Sequence, residues 1–159
     1  MSTTAVFIKM VLDRWNASIK NYDTLINAIP DEKFAQPIAA GKNRGIYLLG
    51  HMIGVHDDIF VLLGTGPRMY PELEGPFVQS PDNAATPMPS VAALRTYWAK
   101  QCEVLNAAMA ALSAEQWFEK HTAVSAEDFV KEPHRNKLNI IVTRTTHLAY
   151  HTGQLQMLK

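Results

Sequence analysis

Residues 8–29 read IKMVLDRWNASIKNYDTLINAI. Ile8, Leu12, Trp15, Ile19, Tyr22, Ile26 and Ile29 recur at steps of 4, 3, 4, 3, 4 and 3. That spacing puts every one of them on one stripe of an α-helix. Pro30 and Asp31 follow and end the period, since proline cannot continue a helix.

Three further stretches carry the same period. Leu48, Met52, Val55, Ile59 and Leu62 form a second stripe, closed by Gly64, Gly66 and Pro67. Val91, Leu94, Trp98, Cys102, Leu105, Met109 and Leu112 form a third, with Ser90 placed as its N-cap. A fourth begins near Lys137 and shows Ile141, Thr145, Leu148 and Leu155, with Asn136 as its N-cap. No stretch sustains the alternation of a strand. Four helices of about 20 residues each predict an all-α fold, a four-helix bundle.

The connections add detail. Residues 65–89, TGPRMYPELEGPFVQSPDNAATPMP, are rich in proline and glycine. They predict a long crossover loop between the second and third helices, of the kind that serves function or an interface. Residues 113–116, SAEQ, fit a capping box. Residues 121–136, HTAVSAEDFVKEPHRN, make a polar lead-in to the last helix; they also offer two histidines, His121 and His134, that would serve a site if they covered it. Without a repeat, a low-complexity tract or a linker, one domain over residues 1–159 is expected.

Composition narrows the function classes. The 159 residues are 47% apolar, enough for a sizeable core. Fifteen basic residues balance fifteen acidic ones, so no basic field is available for a nucleic-acid backbone. The single cysteine, Cys102, rules out an internal disulfide and a CxxC zinc site. Lys9, Asp13 and Arg14 interrupt the apolar N-terminal stretch, and no run of 18 uncharged apolar residues occurs. The expectation is a cytoplasmic protein that neither crosses a membrane nor binds nucleic acid.

The chemistry-bearing residues are the histidines. In THLAYHTGQ, residues 146–154, His147 and His151 are four apart. On a helix they share a face about 6 Å apart, so two imidazoles can converge on one ion. Arg144 and Gln154 extend the stripe. The second helix offers His51 and His56, about 140° apart around the axis, so one ion cannot take both. Angular position sets His56 slightly nearer the core and His51 on the edge of the stripe, and periodicity leaves the choice open. The chain holds no Glu-x-x-His, His-Glu-x-x-His, Gly-x-Ser-x-Gly, phosphate loop or dinucleotide fingerprint.

Three features together resemble the DinB-like (DNA-damage-inducible) superfamily of metal-dependent four-helix proteins. They are the length with four helices, the stretch LLGHMIGVHDD at residues 48–58, and HLAYHTGQ at residues 147–154. The resemblance implies a divalent metal held by one histidine of the second helix and two of the last: His51, His147 and His151. It also implies a homodimer. The chain departs from the pattern at Thr152, where many relatives carry a basic residue. Gln154, His56 and Asp58 are the candidates for residues that support the ligands or orient a bound group.

Three neutral imidazoles leave coordination positions open, which suits catalysis better than a closed structural site. Zinc, nickel, iron and manganese all accept imidazole, so the residues do not name the metal. The function expected from the resemblance is a metal-dependent enzyme that activates a thiol or water for transfer or hydrolysis on a small molecule, the partner being a low-molecular-weight thiol. The alternative is a non-catalytic helical bundle that binds another molecule and keeps a structural or vestigial metal site. Cys102, in the third stripe, reads as an inert core thiol.

Overall fold

The computed structural model describes residues 2–83 and 85–159; position 84 of the crossover loop lies outside them. Four long helices dominate, and no strand forms among the described residues: α1 (Thr3–Ala28), α2 (Gly45–Leu63), α3 (Val91–Ala110) and, after the short α4 (Ala126–Lys131), α5 (Lys137–Leu155). The ends obey local chemistry. The Ser2, Ser90 and Asn136 side chains accept the backbone N–H three residues on, at 3.2, 3.1 and 3.0 Å, satisfying donors that the first turn leaves free. Gly64 ends α2 at φ +69°, a left-handed conformation that favours glycine.

The sequence gives α4 no apolar period, because the helix buries no residue. Its mark is Ser125, whose hydroxyl accepts the Asp128 N–H at 3.0 Å, a capping signature that sits without a stripe behind it. The box at residues 113–116 forms as expected. Gln116 Oε1 accepts the Ser113 N–H at 2.8 Å and Ser113 Oγ accepts the Gln116 N–H at 3.3 Å, opening a 3₁₀ turn at Gln116–Phe118.

Two apolar clusters show how the helices run. Leu48, Leu49, Met52 and Ile53 of α2 pack with Tyr22, Ile26, Leu94, Trp98, Leu148 and Leu155. Further along α2, Ile59, Phe60 and Leu63 pack with Ile8, Trp15, Leu105, Met109, Leu138 and Ile141. The start of α2 therefore meets the end of α5, and the two helices are antiparallel. Each fully buried Leu or Ile contributes about 1.5–3 kcal/mol. Among the described residues α2 alone is long and apolar enough to cross a membrane, yet 72% of its 18-residue apolar window is buried inside the protein. Its apolar excess serves contact with the other helices and the loop.

The crossover loop folds back onto α2. A 3₁₀ turn at Pro71–Leu73 and a π-helical turn at Gly75–Gln79 bury Leu73 and Phe77. Glycines on α2 make room. A Cβ at Gly50 would lie 2.3 Å from the Phe77 ring, and one at Gly54 would lie 2.8 Å from Val78. Polar anchors hold the loop there. The Tyr47 hydroxyl donates to the Ser80 carbonyl at 2.7 Å. Arg44 pairs with Asp82 at 2.6 Å; burial pushes the Asp82 carboxyl up, but its bonds to Arg44 outweigh that and hold it below the usual range. Buried Asp57 accepts the Tyr70 N–H at 2.5 Å and the Gln101 amide at 2.6 Å, tying the loop to α2 and α3.

Candidate metal centre

Among the apolar residues of the first cluster, α2 and α5 also carry histidines. His51 sits two turns into α2, and His147 and His151 face it from the last three turns of α5. One ring nitrogen from each of the three lies within 4.8 Å of the others. That is within a side-chain adjustment of the roughly 3.4 Å that separates two imidazole ligands at about 2.1 Å on a tetrahedral ion. No fourth histidine, cysteine or carboxylate joins the group among the described residues.

The tautomers suit ligation. His51 Nδ1 lies 2.7 Å from the Phe77 carbonyl oxygen, and His151 Nδ1 lies 2.7 Å from Gln154 Oε1. Both oxygens only accept, so both Nδ1 atoms carry a proton and Nε2 is left as the nitrogen that can ligate. His147 Nε2 stands 2.9 Å from His151 Nε2. Burial, then the neighbouring His151, His51 and Arg144, bring the His147 imidazole down to about 4. Burial also lowers His151, against the pull of its Gln154 bond. These two rings are neutral at pH 7, the form that binds a cation. A donor set of three imidazoles, two of them oriented by bonds from Nδ1, fits a divalent transition metal.

The supporting residues divide as follows. Gln154 holds His151 and donates from its amide to the Tyr150 hydroxyl at 3.0 Å. The Tyr47 ring stacks on His51 with centroids 6.0 Å apart. His56 lies elsewhere: it is fully buried between Trp15 and Trp98, 5.1 Å from each ring centre. Asp58 bonds to Arg68 at 2.6 and 2.9 Å. The stretch 121–136 packs at the far end of α2, where the Thr122 N–H meets the Leu62 carbonyl. That point is about 16 Å along the axis from His51, so His121 and His134 do not cover the cluster. Sequence reasoning missed Phe77 and Tyr47. Phe77 acts through its backbone carbonyl, which leaves no mark in a sequence; Tyr47 lies four residues before His51, a spacing that could have flagged it.

The sequence matches the DinB superfamily over residues 14–155. No curated protein matches significantly. Among solved structures, a histidine-to-alanine mutant of a mycothiol-dependent maleylpyruvate isomerase superposes with a TM-score of 0.69 at 15% identity. The match covers 98% of this chain and 63% of that one, so this chain spans somewhat under two thirds of that enzyme's length.

Proposed function

Because the chain belongs to the DinB superfamily, we propose that His51, His147 and His151 hold one divalent metal ion, and that the protein is a metal-dependent enzyme acting on a small molecule with a low-molecular-weight thiol. The observation that carries this reading is the convergence of three histidine nitrogens within 4.8 Å, with two of the rings oriented by bonds from Nδ1. Bound there, a divalent ion supplies a Lewis acid that brings the pKa of a thiol or water toward neutrality.

The chain's own residues supply the rest. Phe77 and Gln154 keep two rings in the ligating tautomer and resist their rotation. Tyr47 and Phe77 wall the His51 side. The thiol is supported by the structural relative, which is a mycothiol-dependent enzyme. It is also supported by the cysteine content: the one thiol of this chain, Cys102, is not part of the cluster. The absence of a fourth ligand among the described residues favours an open, catalytic centre over a closed structural one.

Metal analysis of protein purified without an affinity tag tests the proposal. About one ion per chain is expected, lost in His147→Ala and in His51→Ala. A wild-type chain that refuses zinc, nickel, iron and manganese overturns it and leaves the non-catalytic bundle.

A further inference from the structure

Arg144 stands apart from the other arginines of this chain. Arg44 pairs with Asp82, Arg68 with Asp58 and Glu74, Arg95 with Asp31, and Arg135 with Glu132; Arg14 lies in the exposed face of α1. Arg144 is half-buried, and among the described residues no carboxylate lies within 4.0 Å of it and no hydrogen bond satisfies it. Its Nε is enclosed without an acceptor, while its terminal nitrogens keep contact with solvent. Burial lowers its pKa, and the one carboxylate whose field reaches it is Asp58. That carboxylate is already engaged by Arg68 at 2.6 Å.

A half-buried, unpaired guanidinium destabilises a fold unless something else uses it. Its place says what. Arg144, His147 and His151 fall at i, i+3 and i+7 of α5, within about 60° of arc. Arg144 therefore branches from α5 one turn before His147 and on the same face, and its field reaches both His147 and His56. Its Nη donors are free.

We propose that Arg144 receives a carboxylate of the substrate, so that the three-histidine centre acts on a small molecule bearing a carboxylate close to its reacting atom. The planar fork of a guanidinium matches the two oxygens of a carboxylate. The proposal deepens the metal-enzyme reading and rests on it for the reaction, but the carboxylate subsite stands on Arg144 alone.

The test is an acetate titration of the metal-free chain, followed by the backbone amide resonances of residues 143–148, with acetamide as the uncharged control. Wild-type protein is expected to show saturable shifts with acetate and none with acetamide. Arg144→Met is expected to weaken acetate binding by about tenfold or more, and Arg144→Lys to keep part of it. The melting temperature of Arg144→Met should hold or rise, because a desolvated, unpaired charge is gone. If that variant fails to fold, the wild-type comparison of acetate with acetamide and the Arg144→Lys variant decide. No response to acetate in the wild type, or equal affinity in Arg144→Met, overturns the proposal. Zinc stoichiometry, measured after zinc is added to the same metal-free protein, separates the two readings. A chain that binds zinc but ignores acetate keeps the metal centre and loses the subsite. A chain that takes acetate through Arg144 but refuses zinc does the reverse.

Discussion

His51 Nδ1–H donates to the Phe77 carbonyl oxygen across 2.7 Å, joining α2 to a loop 26 residues later in the chain. The bond fixes which nitrogen of His51 faces His147 and His151. It also makes the crossover loop part of the site, since the loop must press against α2 for the carbonyl to be in reach. Gly50 permits that approach.

Gly50→Ala should therefore act on both fold and centre. The added Cβ would meet the Phe77 ring at 2.3 Å, well inside contact. Overpacking of this kind costs about 1–3 kcal/mol, to be read from the urea midpoint. Zinc affinity should fall as well, because displacing Phe77 withdraws the carbonyl that orients His51. A variant with wild-type stability and wild-type zinc affinity would show that the loop is free to yield.

Gln154→Ala separates orientation from folding. Gln154 is half-buried, and its Oε1 holds His151 Nδ1 at 2.7 Å. Loss of such a supporting bond typically lowers metal affinity about 10–100-fold. Stability of the metal-free chain should change by about 0.5–1.5 kcal/mol or less. Competition with a chromophoric chelator measures the first quantity and urea unfolding the second.

Acid should destabilise the metal-free chain through His56. This ring is sealed between Trp15 and Trp98, and neither of its nitrogens has a partner. Burial, then the fields of Arg144, His147 and His51, push its pKa well below 6.5. The unfolded chain accepts a proton below about 6.5 that the folded chain refuses, so stability is whole above that pH and is lost as pH falls below it. His147, brought down to about 4, adds to the same trend. Replacing His56 by Leu should make the fall shallower, by up to about 1.4 kcal/mol per pH unit for one proton. Urea midpoints from pH 7 to pH 4 give the slope, and an unchanged slope would exclude His56 as its source.

Cys102 should be inert in the native protein. Burial, reinforced by Asp23, pushes its thiol up to about 12, so almost no thiolate exists near neutral pH. Reaction with a disulfide reagent at pH 8 should be slow in buffer and fast in denaturant. Rapid labelling of native protein would place a reactive thiol on the chain and weaken the case for an external one.

Much was legible from the sequence because it is local. The stripes from Ile8, Leu48 and Val91 lie on helices, with only their last members Ile29 and Leu112 falling past the ends of α1 and α3; Pro30 and Gly64 mark two helix ends, and Ser90 and Asn136 cap two helix starts. Periodicity and capping involve residues within about one turn, so a linear string records them. For the same reason His147 and His151 could be read as a pair. α4 escaped notice because it buries nothing and so leaves no stripe.

By itself, then, the sequence determined four amphipathic helices, their caps and a pair of histidines on the last of them. The helical period left open which histidine of α2 joins that pair, the family resemblance named His51, and the tertiary structure brings His51 there. α2 is buried around most of its circumference, so its apolar pattern does not say which side meets α5. Antiparallel packing turns His51 toward His147 and His151, and leaves His56 sealed between Trp15 and Trp98. Only the fold brings the Phe77 carbonyl to His51 and leaves Arg144 without a partner. These relations join residues far apart in the chain, and a helical period reaches no further than its own helix.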